Sequence, residues 1–168
     1  MADRYTQLTL ATGAYTNTAN WVGGSAPAAN DNIFMQFNNA VPLIGSDQGA
    51  TELDDVHVLP ACTGQIGTED TYLQLDQGTT NQVVYAGRGL GYLDMGDAGG
   101  ALLRVDQTAA GRDGKAGLYF RCDSNAYTLA EIRGGDVEFS PAVATTANVR
   151  RTATLILQAA STVTTVNV

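Results

Sequence analysis

Apolar and polar residues alternate along most of this chain in short runs, and sustained spacing of three and four is absent. Gly or Pro interrupts nearly every window long enough to hold three helical turns, so the pattern predicts strands rather than helices. The runs place strands at Ile33 to Phe37, Val41 to Ile44, Leu53 to Val58, Tyr72 to Leu75, Gln82 to Tyr85, Gly91 to Asp94, Ala101 to Val105, Gly117 to Cys122, Tyr127 to Ile132, Asp136 to Phe139, Ala153 to Gln158 and Thr162 to Val168. The expected inward faces pair Leu73 with Leu75, Leu103 with Val105, Leu118 with Phe120, Val137 with Phe139 and Leu155 with Leu157.

Two β architectures fit. A sandwich needs antiparallel neighbours joined by tight hairpins, whereas a β-helix stacks successive coils on parallel strands with short corners. Glycine makes up 19 of 168 residues, about 11% against an average of roughly 7%. Glycine and small polar corners dominate over Asn-Gly or Asp-Gly hairpin pairs, which favours coils. The expected fold is therefore all-β, a right-handed β-helix or β-solenoid-like single domain at residues 21–168 behind an extended N-terminal arm at residues 1–20. That arm carries no charge between Arg4 and Asp31, and Leu8 and Leu10 alternate around Thr9 as one short strand. The stretch N-W-V-G-G-S-A-P-A-A-N-D-N-I-F-M-Q-F, Asn20 to Phe37, has the order of an entrance to a sheet. Trp21 and Val22 supply an apolar plug, Gly23 and Gly24 a bend, Pro27 an extended turn, and Asp31 or Asn32 a side-chain turn before Ile33.

Composition narrows the class of function. With 44% apolar and 15% charged residues and a mean hydropathy of -0.07, the chain is too apolar for disorder. No apolar run approaches the roughly 18 residues of a membrane helix, and M-A-D-R-Y-T-Q-L lacks the basic and apolar blocks of a signal peptide, so a soluble protein without membrane partner is expected. A net charge of -8 argues against nucleic acid, which needs clustered positive charge. Cys62 and Cys122 lie too far apart for a metal knuckle and read as small core residues, with a disulfide the weaker alternative.

Chemistry-bearing clusters are sparse, and each has a plain structural reading beside it. Asp54-Asp55 with His57 is the one meeting of acid and imidazole, but alternation puts Asp55 and His57 on one face and Asp54 on the other, without a nearby nucleophile. Gly87-Arg88-Gly89-Leu90-Gly91 has the glycines of a phosphate loop and no helix after it, so it reads as a corner. Asp94-Met95-Gly96-Asp97 and Arg112-Asp113-Gly114-Lys115 lack the spaced oxygens of a calcium loop. Distant acids such as Asp94, Asp97, Asp123 and Asp136 could be paired for glycoside cleavage only by chance. Tyr72, Tyr85, Tyr92, Tyr119 and Tyr127 could form an outward stripe, used either for a protein interface or for stacking on a glycan. The expectation is no enzyme, no cofactor and no metal.

The W-x-G-G-x-x-P-x-x-x-D-x-I pattern of Trp21 to Ile33, followed by Glu52-Leu53-Asp54-Asp55-Val56-His57-Val58, resembles the start of β-helical passenger segments of autotransporter adhesins, and equally small bacteriophage virion proteins built as single-stranded β-helices. Gly117 to Ser124, followed by Leu129 to Val137, is similar to coil repeats of the phage group, in which a G-L-Y-x-R segment precedes an apolar strand and a G-G corner. The likeness covers residues 20 to 140. It implies a virion structural protein on the capsid surface, foremost a decoration protein that binds the major capsid protein as a homotrimer. The alternative it implies is a glycan-binding adhesin, tail-spike or fibre module. The β-branched run to Val168 has no polar cap, so another copy or a partner protein is expected over Thr162 to Val168. Trp21, Val22, Ile156, Val163, Val166 and Val168 are the expected interface residues.

Overall fold

A computed structural model describes residues 2–45, 53–75, 79–96, 99–110, 115–122, 127–139 and 142–168. Among these residues the chain forms thirteen strands and one short 3-10 turn, Thr18–Asn20. The strands are β1 (Asp3–Tyr5), β2 (Asn32–Met35), β3 (Asp55–Val58), β4 (Leu73–Gln74), β5 (Thr79–Tyr85), β6 (Gly91–Asp94), β7 (Gly99–Val105), β8 (Leu118–Arg121), β9 (Tyr127–Ile132), β10 (Gly135–Phe139), β11 (Val143–Val149), β12 (Ala153–Leu157) and β13 (Thr162–Asn167). From β3 onward consecutive strands go alternately to two sheets. The larger has eight strands in the order β1-β2-β3-β5-β7-β9-β11-β13, and the smaller five in the order β12-β10-β8-β6-β4.

Every pairing between these strands is parallel. Parallel neighbours cannot be joined by a two-residue hairpin, and from β3 onward the crossover from one strand to the next of its sheet carries a strand of the other sheet. The antiparallel alternative is thus set aside. The fold is all-β with two parallel sheets, an arrangement consistent with a β-helix.

Register turns this topology into columns of like residues. In the larger sheet Ile33, Val56, Val83, Leu103, Ala130, Ala147 and Val166 stand opposite one another in succession. In the smaller sheet Leu73, Leu93, Phe120, Phe139 and Leu157 do the same. These columns face each other as one core, almost wholly out of water from Ile33 to Ala147 and from Leu73 to Phe139. At ~25 cal/mol per Å² of apolar surface removed from water, such continuous columns are the main stabilising term. They end at β12 and β13, where Leu157 is 45% and Val166 49% exposed.

Beyond shifts of one to three residues at strand ends, the structure departs from the sequence expectation in four places, each with a physical reason. Val41 to Ile44 is not a strand: Leu43, Ile44 and Gly45 make only isolated bridges. The strand of the arm is Asp3–Tyr5 rather than Leu8 to Leu10, and Leu8 is exposed while Leu10 enters the core. Strand β11 has no counterpart in the alternation because its core residues are small and three apart, Ala144 and Ala147. Leu155 and Leu157 occupy inward columns as expected but stay partly exposed, since β12 is the outermost strand of its sheet.

Residues 2–20 join the same core. β1 pairs with β2, and Leu10 and Tyr15 pack into the cluster that contains Ile33 and Leu73. Buried Asn20 ties the arm down: its Oδ1 accepts from the Ala11 and Thr12 amides, and its Nδ2 donates to the Thr12 and Ala14 carbonyls. All of its hydrogen-bonding capacity near the arm is used, as burial of an amide requires.

Candidate functional site

The motif from Trp21 to Asp31 builds one end of the molecule. Trp21 is fully buried, its Nε1 donates to the Tyr15 carbonyl at 2.8 Å, and its ring meets Tyr15 edge-on at 5.1 Å. Gly23 and Gly24 follow at φ of 87° and 70°, the left-handed region that a side chain strains to enter, and turn the chain back along β1. Thr6 and Trp21 form an antiparallel bridge, and the Val22 amide donates to the Tyr5 carbonyl at 2.8 Å. The parallel stacking of the larger sheet therefore stops at β1, whose outer edge is partly taken by the chain itself.

Asp31 fastens this end. Its carboxylate accepts from the Ala2 amide at 2.8 Å, the Ala28 amide at 3.1 Å and Arg4 Nε at 2.8 Å. Burial alone would raise its pKa, but the Arg4 hydrogen bond, the two amides and the Arg4 charge outweigh it and hold the carboxyl below the usual range. Arg4 and Asn20 carry no motif of their own in the sequence; their roles depend on partners 27 and several residues away, which alternation does not reveal.

The six expected interface residues fall in different settings. Trp21 is a core residue, 0% exposed, so it has no surface to offer a partner, and of the expected Trp21–Val22 plug only Trp21 is inside. Val22 beside it is 52% exposed. Val163 and Val166 extend inward columns through Ala144 and Ala147, and Val168 lies just past the end of β13. Val163 packs partly on the core, while Val166 and Val168 are exposed. Ile156 lies on the outward face, in line with Glu138 and Tyr119.

The candidate chemical clusters resolve into structural contacts. Asp55 and His57 share the outward face of β3, 3.6 Å apart, as the alternation required. Gln82 donates to Asp55 at 3.0 Å, and the imidazole stacks flat on Phe34 at 4.8 Å, with Tyr5 stacked on the other face of Phe34 at 4.6 Å. The Gly87 to Gly91 segment is a corner: the Arg88 amide donates to the Cys62 carbonyl, Tyr85 Oη to the Gly89 carbonyl, and a Cβ on Gly89 would sit 1.9 Å from the Gly64 oxygen. No group of three or more His, Cys, Asp or Glu is arranged for a metal ion among the described residues. Asp97 and residues 112–114 and 123, which belong to other candidate clusters, lie outside them.

The tyrosine stripe divides in two. Tyr85 and Tyr127 point inward and are buried, against the outward reading of the sequence. Tyr92 and Tyr119 stand opposite each other in one column on the outward side of the smaller sheet, with Tyr72, just before β4, beside Tyr92, and Tyr72 and Tyr92 are only 8% and 5% exposed. Tyr92 and Tyr119 stack face to face at 4.6 Å, Tyr72 meets Tyr92 edge-on, and the Arg121 guanidinium lies 3.8 Å over the Tyr72 ring. Ring faces are thus spent on neighbouring side chains. Cys62 and Cys122 are buried and form no disulfide, and burial pushes the Cys62 thiol up to about 12.

Comparison with protein-family models, with curated proteins and with solved structures finds no match to this chain.

Proposed function

We propose that the chain is a right-handed β-helix serving as a non-enzymatic virion structural protein, a decoration protein that binds the outer capsid surface as an oligomer, foremost a homotrimer, and reinforces it. The observation that carries this reading is the contrast between the two ends. One is folded back on itself at Thr6–Trp21, and the other presents strands β12 and β13, each outermost in its parallel sheet, with half-exposed Leu157 and Val166 at the ends of core columns. Edge strands above open apolar columns are surfaces that natural proteins cover.

Such a protein acts by mass action. Each copy that binds the assembled capsid and not its separated subunits adds buried interface across a joint, and stable contacts of this kind cover about 1,200–2,000 Å². Val22, Ile156, Val163, Val166 and Val168 are available to such contacts, and the major capsid protein is the partner this reading names. The tyrosine column does not offer the open ring faces that a glycan-binding role would use.

Light scattering on the purified protein, followed by mixing with undecorated phage heads and sedimentation, tests the proposal. A trimer that pellets only with heads supports it. Protein that stays in the supernatant at every head concentration rules the decoration role out.

A further inference from the structure

The β12/β13 end differs from the rest of the molecule in charge as well as in exposure. All 17 acidic residues lie at or before Glu138, and residues 142–168 contain two charged side chains, Arg150 and Arg151. Both are exposed, on the turn between β11 and β12, and neither is in an ion pair among the described residues. That turn is fixed: the Arg150 amide donates to the Ile132 carbonyl and its own carbonyl accepts from the Ala153 amide, both at 2.9 Å. A molecule of net charge -8 thus holds one face that bears half-exposed Leu157 and Val166, has no Asp or Glu side chain and is marked by two arginines.

We propose that this face is a docking site for an extended segment of a different protein, apolar at alternate positions and carrying acidic residues at its flank. The statement rests on the reading of the chain as an assembly protein and names the chemistry of its partner. Strand addition to a free edge supplies backbone hydrogen bonds, and the alternate apolar side chains would rest on Leu155, Leu157, Val163 and Val166. Acidic flanking residues would meet Arg150 and Arg151, which guanidinium forks bind well. A second copy is a poorer occupant in either orientation. Joined two-fold, the face meets itself and offers its arginines no Asp or Glu; joined head to tail, it meets β1, whose Tyr5 carbonyl already accepts from Val22.

The test uses the full chain and two fluorescein-labelled peptides of alternating valine and threonine, one flanked by glutamates and the other by lysines, with binding read by fluorescence anisotropy. The acidic peptide binds about tenfold tighter than the basic one, and the gap shrinks with added salt. The double variant Arg150→Glu/Arg151→Glu inverts the preference, and Val166→Lys abolishes binding of both, each variant melting within a few degrees of the parent. Equal binding of the two peptides, binding of neither, or a preference that the double variant leaves unchanged overturns the proposal. An oligomer that Val166→Lys dissociates also overturns it, since the face is then occupied by a second copy. Because no capsid is present, a failure here is separate from a failure of the virion reading, which the sedimentation of heads decides.

Discussion

Arg4 Nε and Asp31 Oδ2 lie 2.8 Å apart, joining the first strand of the larger sheet to the turn that opens the second. The same carboxylate holds the amides of Ala2 and Ala28, so one nearly buried group sets the position of β1 against β2. Hydrogen bonds to a charged group contribute ~1.5–3 kcal/mol when their loss leaves buried donors unpaired. Asp31→Ala is expected to destabilise the fold by about that amount, read as a shift in the urea midpoint.

Acid should reproduce part of this loss. The folded-state pKa of Asp31 is depressed, so its stabilisation is fully present above the unfolded carboxyl value of about 4 and is lost as pH falls through the lower folded value. Melting curves from neutral pH downward should show the wild type losing stability below about pH 4 more steeply than Asp31→Asn, which starts lower and has no such step. Parallel curves for the two proteins would show that Asp31 does not carry the effect.

Trp21→Ala should cost ~3–5 kcal/mol, the range for emptying a large aromatic site in a core. As the sole tryptophan, Trp21 also reports its own burial: native fluorescence should be blue-shifted and resist iodide quenching, and both properties should vanish with unfolding.

Gly89 should tolerate no side chain. A methyl group there would sit 1.9 Å from the Gly64 oxygen and 2.9 Å from that of Thr63, both backbone atoms that cannot swing aside. Gly89→Ala is expected to lower the melting temperature by several degrees, on the order of 1–3 kcal/mol for forced overpacking.

Neither thiol should react in the folded protein. Cys62 and Cys122 are fully buried, and burial holds the Cys62 thiol far from its reactive thiolate. Alkylation at pH 8 followed by mass measurement should find two unmodified cysteines in native buffer and two modified ones in denaturant.

Strands were legible in the sequence where alternation was strict and the core side was large. Gly91–Asp94 and Tyr127–Ile132 have the expected boundaries, and Leu118 with Phe120 and Val137 with Phe139 face inward as read. Val143–Val149 was not legible, because a strand whose core residues are alanines three apart carries neither the size nor the period that marks a buried face. Tyr85 and Tyr127 show the converse limit: tyrosine fits either face of a strand, and only the register with Val58 and Ala144 shows them to be inside. At the candidate surface, the exposure of Val166 goes with its place on β13, the outermost strand of the larger sheet. The burial of Trp21 depended on Tyr15, Thr6 and the fold of the arm, contacts that a linear pattern does not encode.

Sedimentation of undecorated phage heads with the wild-type chain and with Val166→Lys tests most directly the claim that the β12/β13 end attaches this protein to a capsid. The account predicts that the wild type pellets with heads to saturation and that the variant, equally stable by melting, stays in the supernatant. Equal pelleting of both proteins would contradict docking through this end, and failure of both to pellet would contradict the capsid role itself.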